Sequence, residues 1–167
     1  MRLPLETSRL SLRPMTLEDE LALAAVLGDA ETMRWYPHPF SREEVRGWIE
    51  RQISRYSSGT GLLGLVEKQS GRLIGDCGVV WQDVEDRMEL EVGYHVNRGF
   101  WNHGFATEAA RAVIDSAFSD LGANLVVSMI RPENIASRRV AEKNGLVLSR
   151  IIFWRNYDHC IYEARKN

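Results

Sequence analysis

The segment Arg98-Gly-Phe-Trp-Asn-His-Gly-Phe-Ala-Thr-Glu108 is the most informative stretch of this sequence. It stands between a strand pattern at 89–96 and the strongest helix pattern, at 104–121. Gly104 and Ala106 carry little or no side chain, so a ligand can approach the backbone closely. The first N–H groups of a helix have no acceptor within the helix and lie at the positive end of its dipole. The segment therefore predicts an anion site at the start of this helix.

The loop is not of the Walker type. Phe105 and Ala106 follow Gly104 where a Walker loop has Lys and then Ser or Thr, so a Mg²⁺-bound triphosphate is disfavoured. A diphosphate bound without a metal fits the loop better. Taken by itself, the loop is also compatible with a simple glycine turn into a well-capped helix, and this alternative stays open.

The pattern of apolar residues on both sides of the loop predicts an α+β fold. The β-branched run 125–130 follows the helix, so the strand at 89–96, the helix and this run form one strand–helix–strand crossover. The other predicted strands are 9–13, 62–68, 73–81, 148–154 and 160–164, and the other predicted helices run from Thr16 to Gly28, Ser41 to Ser57 and Asn134 to Asn144. This order favours a largely antiparallel sheet.

Residues 59–64, Gly-Thr-Gly-Leu-Leu-Gly, match the dinucleotide pattern G-x-G-x-x-G. A dinucleotide fold needs this pattern after a strand and before a helix. Here a helix precedes it and the strand at 62–68 follows it. The match therefore predicts a turn and not a phosphate site.

Composition indicates one globular domain over residues 1–167. Hydrophobic residues make up 44% and charged residues 26%, both close to the averages for globular domains. The 21 Lys and Arg against 23 Asp and Glu leave a net charge of −2, which argues against non-specific nucleic-acid binding. No apolar run is long enough to span a bilayer and the first residues lack a signal-peptide core, so we expect no membrane partner.

The chain has two cysteines, Cys77 and Cys160. Neither belongs to a CxxC motif or has histidines at metal-binding spacing, so the sequence predicts no disulfide framework and no metal site. Reduced cysteines favour a cytoplasmic location.

A set of motifs occurs in one order along the chain: Glu6-Thr7-Ser8-Arg9-Leu10 with Leu12-Arg13-Pro14, Leu73-Ile74-Gly75-Asp76, Glu91-Val92-Gly93-Tyr94-His95, residues 101–109, Asn134-Ile135-Ala136-Ser137 with Glu142-Lys143-Asn144-Gly145, and Asp158-His159 with Tyr162. In this combination the chain resembles the GNAT superfamily of acetyl-CoA-dependent N-acetyltransferases. The most similar branch is that of the ribosomal-protein N-terminal alanine/serine acetyltransferases. The resemblance covers nearly the whole chain.

The resemblance implies a splayed central sheet with helices on both faces and acetyl-CoA as the acetyl donor. Backbone N–H groups of the loop would hold the CoA diphosphate, and the pantetheine arm would lie beside the strand end formed by Tyr94, His95 and Val96, bonding as an added strand would. Asn134 would contact the arm near the thioester. The loop residues implied in donor binding are Trp101, Asn102, His103, Gly104, Phe105, Ala106 and Thr107.

One position departs from the resembled family. Many of its enzymes carry a Tyr seven residues after the Asn, as the acid that protonates the departing thiolate, and this chain has Ala141 there. The branch offers Ser137 instead, acting directly or through water. Because a free thiol has a pKa near 8.5, its thiolate is a tolerable leaving group without a strong acid.

Glu91 is the first candidate for the general base. Glu89, Glu91 and His95 share one face of their strand, because successive side chains point to opposite sides. A carboxylate whose pKa is raised by burial can deprotonate an amine through water, whereas the alternative is a solvated strand face. Three residues between the first two helices either line an acceptor pocket or belong to the core: Trp35, Tyr36 and His38.

The resemblance thus predicts an N-acetyltransferase in which a primary amine, on a protein N-terminus or a small molecule, attacks the thioester directly. One alternative is a CoA-binding sensor without turnover, because the general acid is weakly specified. Another is a nucleotide-phosphate binder that uses the same helix start. No sequence feature selects the acceptor, and because the resembled branch includes dimers, a homodimer is an open expectation.

Overall fold

The computed structural model describes residues 2–166, which are arranged around an eight-stranded sheet. Its strands are β1 (Leu5–Glu6), β2 (Leu10–Arg13), β3 (Gly61–Glu67), β4 (Leu73–Val84), β5 (Arg87–Val96), β6 (Leu125–Ile130), β7 (Val147–Trp154) and β8 (Tyr157–Arg165). Their order across the sheet is β1-β2-β3-β4-β5-β6-β8-β7. Neighbouring strands are antiparallel except β5 and β6, which are parallel. The predicted α+β class and largely antiparallel sheet are confirmed.

Four α-helices accompany the sheet in the described part of the chain: α1 (Glu20–Leu27), α2 (Arg42–Tyr56), α3 (Phe105–Ser119) and α4 (Ile135–Lys143). Ser41 and Glu44 form a capping box that starts α2, with the Ser41 hydroxyl accepting from the Glu44 N–H. Along α3, buried residues recur at helical spacing: Ala109, Ala110, Val113, Ile114 and Ala117. None of these helices is both long and apolar enough to cross a bilayer.

The helices cover both faces of the sheet. Adjacent residues of β4 show this, because their side chains point to opposite sides. Asp76 accepts a hydrogen bond from Trp48 of α2, whereas Cys77 packs in the same apolar cluster as α3. Helices α1 and α2 therefore lie on one face, and α3 lies on the other.

The predicted crossover is confirmed by the path of β5, α3 and β6, and it brings the two parallel strands side by side at the centre of the sheet. The predicted turn lies at 57–60, between the end of α2 at Tyr56 and the start of β3 at Gly61, so the last four residues of the 59–64 match already belong to β3. Gln52 of α2 fixes this turn by accepting from the Leu62 N–H at 3.0 Å.

The hairpin of β4 and β5 is longer than the sequence indicates. The predicted strands are 73–81 and 89–96, but Val84 pairs with Arg87 and the turn consists of Glu85 and Asp86 alone. Both turn residues have positive φ, 51° and 62°. Two-residue turns of this kind match the twist of a hairpin, but they usually carry Gly or Asn, and this one has neither.

Candidate active site

The start of α3 presents a run of backbone N–H groups. Gly104 is the N-cap, and the Glu108 N–H makes the first helical bond, to the Gly104 carbonyl at 3.0 Å. Of the hydrogen bonds within residues 2–166, none uses an N–H of residues 102–107 as its donor. These amides lie at the positive end of the α3 dipole, and residues 101–104 are exposed. The arrangement fits an anionic diphosphate.

The loop before α3 is held in shape by hydrogen bonds that do not involve these N–H groups. Asn102 and Gly104 both adopt left-handed backbone conformations, with φ of 63° and 82°, which glycine and asparagine tolerate best. The Trp101 indole donates to the Val96 carbonyl at 2.7 Å, and His103 Nδ1 lies 2.7 Å from the Trp101 carbonyl. Side chains therefore hold the loop while its amides stay available to a ligand.

Glu108 fastens the loop to the turn between β1 and β2. Its carboxylate accepts from Thr7 Oγ1 at 2.6 Å, from Ser8 Oγ at 3.1 Å and from the Arg9 N–H and Nε at 2.9 and 2.7 Å. Arg9 also donates to the His103 carbonyl at 2.8 Å and lies over the Phe105 ring. An acidic residue in the first turn of a helix would by itself indicate only a favourable charge at the helix dipole, so the role of Glu108 as a junction is an addition by the structure.

Glu108→Gln is expected to lower the stability of the protein. Partial burial raises the pKa of Glu108, but the hydrogen bonds from Thr7, Arg9 and Ser8 outweigh it and bring the pKa down to about 2. The stabilisation is therefore present above pH ~4.5 and is lost as the pH falls towards about 2. We expect roughly 1–3 kcal/mol less stability at pH 7, measured by urea unfolding.

Glu50→Gln is the matched control for this measurement. Glu50 makes an exposed ion pair with Arg46 at 3.4 Å, and such pairs contribute little. A loss in Glu108→Gln no larger than in this control, or one unchanged at low pH, would contradict the assigned junction.

Strands β5 and β6 diverge into a gap next to the loop. In residues 2–166 their paired positions are limited to Glu91 opposite Val127. One residue further, Ser128 Oγ donates to the Val92 carbonyl at 3.3 Å. Beyond this point β5 continues to Val96 without a ladder to β6, so the sheet is splayed as expected.

The backbone of β5 alternates between β4 and this gap. The Asn97 N–H donates to Ile74 of β4, whereas the Val96 carbonyl faces away from β4 and accepts the indole of the loop. Tyr94 has the orientation of Val96, because residues two apart point the same way in a strand. The N–H and C=O of Tyr94 therefore face the gap, and those of His95 face β4.

Helix α4 borders the other side of the gap. Asn134 is its N-cap and accepts from the Ser137 N–H at 3.2 Å, which leaves the Asn134 amide nitrogen free of this bond. The Tyr94 hydroxyl donates to the Ser137 carbonyl at 3.1 Å and so joins β5 to α4. Ala141 is 3% exposed and packs in the core, so it brings only a buried methyl group to this side of the site.

Glu91 lies on the face of β5 that looks towards α1 and α2. Burial raises the pKa of Glu91 to about 7, and the hydrogen bond from Gln82 Nε2, 2.9 Å from Glu91 Oε2, offsets part of that rise. Its neighbour on the same face is Gly93, where an added Cβ would meet no described heavy atom within 4 Å. A carboxylate poised between its two protonation states thus borders open space, as a general base requires.

A chain of hydrogen bonds continues along the same face. Trp48 Nε1 donates to Asp76 Oδ2 at 2.8 Å, and Asp76 Oδ1 lies 2.7 Å from His95 Nδ1. His95 Nε2 lies 2.7 Å from the Tyr36 hydroxyl. Asp76 is fully buried, and the His95 side chain is 9% exposed. Asp76 ends the motif at 73–76, but the sequence alone indicates no role for it.

Other candidate residues have structural partners. Glu89 shares the face of Glu91, but its carboxylate is paired with Arg150 at 2.7 Å. The Tyr162 hydroxyl joins α4 to β8, donating to Glu142 at 3.0 Å and accepting from Arg138 at 2.9 Å. The structure thus brings the predicted base, the loop and the start of α4 around one gap.

Comparisons with known proteins agree with this arrangement. A family model described as "Acetyltransferase (GNAT) domain" matches residues 9–147. YkkB of Bacillus subtilis (strain 168), an uncharacterized protein, is 34% identical over 163 residues, which cover 96% of this chain and 95% of that protein.

Solved structures share the fold. An acetyltransferase (GNAT family) from Bacillus anthracis superposes with a TM-score of 0.84 at 23% identity, covering 96% of this chain and 97% of that one. RimL, a ribosomal L7/L12 α-N-protein acetyltransferase solved in complex with coenzyme A, superposes with a TM-score of 0.78 at 18% identity, covering 95% of each chain. At these identities the likeness concerns the fold.

Proposed function

The chain belongs to the GNAT acetyltransferase family, and from that premise we propose that it transfers an acetyl group from acetyl-CoA to a primary amine. The acceptor is a protein N-terminal α-amine or a small-molecule amine, and its nitrogen attacks the thioester carbonyl directly. The observation that carries the proposal is the run of free amides at 102–107 beside a gap in the sheet that opens just beyond Glu91.

The loop at 101–107 holds the diphosphate of the donor in this proposal. Backbone N–H groups of Asn102, His103, Gly104, Phe105, Ala106 and Thr107 donate to its oxygens, and the Thr107 hydroxyl adds a donor. The charge of the diphosphate is met by the dipole of α3, so no metal is required. Trp101 positions the loop through its bond to Val96.

The gap between β5 and β6 holds the pantetheine arm. Its amide groups pair with the free N–H and C=O of Tyr94 and with the Val96 edge, as an added strand would. Asn134 contributes its side-chain nitrogen from the start of α4, because its oxygen is committed to the cap. The His95 side chain points to the face of the sheet that α1 and α2 cover, where it bonds to Asp76. His95 is therefore not among the proposed contacts of the donor.

Glu91 accepts a proton from the amine. When bound, the thioester supplies an activated acetyl group, and the protein brings the nucleophile to it. Fixing two reactants in this way is worth about 7–11 kcal/mol in well-oriented reactions. Glu91 borders the open space at Gly93 and reaches an amine there directly or through one water.

Ser137 is the proposed acid for the departing thiolate. Its backbone is fixed at both ends, by Asn134 at the N–H and by the Tyr94 hydroxyl at the carbonyl. Its backbone therefore has a fixed position at the start of α4, and the hydroxyl extends from that position. The buried Ala141 offers no hydroxyl for this step.

Release of free thiol from acetyl-CoA tests the proposal. The full-length protein is incubated with acetyl-CoA and a panel of primary amines and N-terminal peptides, and the panel includes peptides because RimL acts on a protein α-amine. We expect acceptor-dependent thiol release and a matching acetylated product by mass spectrometry. Tight CoA binding without release for any acceptor would instead favour a sensor, and thermal stabilisation by ATP but not CoA would overturn the donor.

A further inference from the structure

The hydrogen-bonded chain from Trp48 to Tyr36 has a fixed direction. A carboxylate only accepts, so Asp76 takes the indole N–H of Trp48 on one oxygen and the Nδ1–H of His95 on the other. A neutral imidazole with its proton on Nδ1 has a lone pair on Nε2. The Tyr36 hydroxyl therefore donates to His95 Nε2. Asp76, Trp48 and the fold around them set this tautomer of His95.

The outer end of the chain reaches the face that carries Glu91. His95 and Glu91 are four residues apart on β5, with the open position of Gly93 between them. Tyr36 comes from the segment between α1 and α2 and is 38% exposed. Desolvation raises the pKa of Tyr36, and the carboxylates of Glu91 and Asp76 add to this rise. The positive charge of Arg155 offsets part of the rise in pKa for both Tyr36 and Glu91.

Counting protons shows what such a chain contributes. An ammonium group has three N–H bonds, and the secondary amide formed from it has one. Two protons therefore leave the nitrogen: one before the attack and one as the C–N bond forms. Glu91 holds one proton at a time, so a second acceptor on the same face takes the other proton before Glu91 has discharged the first.

We propose that Tyr36 and His95 form this second acceptor in the acetyl transfer proposed above, on which this inference rests. As the C–N bond forms, the Tyr36 oxygen takes a proton from the amine nitrogen, and the proton of Tyr36 passes to His95 Nε2. The resulting imidazolium is held by Asp76. The C–S bond breaks, the thiolate takes one proton, and the other proton leaves to solvent. Tyr36 is the catalytic residue here, and His95, Asp76 and Trp48 position it.

We call the path from the amine through Tyr36 to His95 the relay. Tyr36→Phe tests it, because this substitution removes the hydroxyl and keeps the ring. We expect kcat to fall roughly 10–100-fold, at the low end of general acid–base effects because water partly replaces the hydroxyl. The CoA dissociation constant stays unchanged. In the wild type two protons move together, from the amine to Tyr36 and from Tyr36 to His95, so kcat measured in mixtures of H2O and D2O follows a curved proton inventory, and in Tyr36→Phe the inventory becomes linear.

Tyr56→Phe is the matched structural control. The Tyr56 hydroxyl donates to the Leu62 carbonyl at 2.7 Å and accepts from the Met15 N–H at 3.0 Å, on α2 and away from β5. Its loss lowers the melting temperature and leaves the curved proton inventory unchanged. A second relay variant, His95→Gln, keeps a donor and an acceptor but takes no proton, so its proton inventory is linear even where Tyr36→Phe folds poorly.

The outcomes separate this inference from the proposed function. Thiol release by the wild type, together with wild-type kcat and a curved proton inventory in both Tyr36→Phe and His95→Gln, overturns the relay and leaves the acetyltransferase intact. Absence of thiol release by the wild type overturns both. Reduced kcat with the curved inventory retained assigns Tyr36 a structural role and also overturns the relay.

Discussion

Gly104→Glu is expected to raise the dissociation constant of CoA more than 100-fold, a loss of about 3 kcal/mol or more. The substituted carboxylate would stand among the amides of residues 102–107 and repel the diphosphate that they attract. Gly104 also has φ 82°, where a side chain costs roughly 1–2 kcal/mol. Titration calorimetry with CoA measures the effect.

Gly122→Glu is the control that separates repulsion of the diphosphate from backbone strain. Gly122 follows the far end of α3 with φ 67°, and an added Cβ there meets no described atom within 4 Å. The variant carries similar backbone strain and the same charge at a distance from the loop. We expect a comparable loss of stability with wild-type CoA affinity. If Gly104→Glu binds CoA as the wild type does, the diphosphate site lies elsewhere.

Glu91→Gln is expected to lower turnover roughly 10²–10⁴-fold, the range for a lost general base, with CoA affinity nearly unchanged. Because only the deprotonated carboxylate accepts a proton, wild-type activity rises with pH through about 7. The amide variant loses this dependence. The measurement is kcat between pH 5 and 9 with a saturating acceptor, and a wild-type rate would remove Glu91 from the mechanism.

Glu91→Gln is expected to raise the stability of the protein although it lowers turnover. The pKa of Glu91 is raised in the folded state to about 7, so its favourable contribution is full below pH ~4.5 and is lost as the pH rises through about 7. The ionised form is the costly one. Glu91→Gln should therefore be more stable than the wild type above pH 7, by on the order of 1–2 kcal/mol. Site residues commonly trade stability for activity in this way.

Glu89→Gln is the matched control on the same strand face. The Glu89 carboxylate is 2.7 Å from Arg150, so its neutralisation should lower stability and leave the pH dependence of the remaining activity unchanged. Equal pH profiles in the two variants would mean that neither carboxylate is the base.

The parts of the site that sequence predicted are those that local rules determine. Gly104 marks the start of α3 because a left-handed residue suits an N-cap glycine, and the helix that follows has an unambiguous apolar stripe. The shared face of Glu91 and His95 follows from the period of two in a strand. The crossover follows from the order of strand, helix and strand.

The relay depends on long-range register and was not predicted. Asp76 faces His95 only because the hairpin turns at Glu85 and Asp86, which places Val84 opposite Arg87 and, eight pairs on, Asp76 opposite His95. A turn located at these residues would have predicted the pairing of Asp76 with His95. The turn contains neither Gly nor Asn, the residues that usually mark a two-residue hairpin turn. The junction at Glu108 joins residues about a hundred positions apart, and no local pattern announces such contacts.

The divergence of β5 from β6 gives the molecule a built-in division. Across residues 2–166, strands β1–β5 and strands β6–β8 form two half-sheets that meet at one backbone pairing, and the chain passes between them through α3. The first half carries Glu91 and the amides of 102–107, whereas the second carries Asn134 and Ser137. In the proposed function, a donor seated between them would touch both, so its binding free energy would add to the cohesion of the two halves. Acetyl-CoA would then tie the half-sheets together as well as supply the acetyl group.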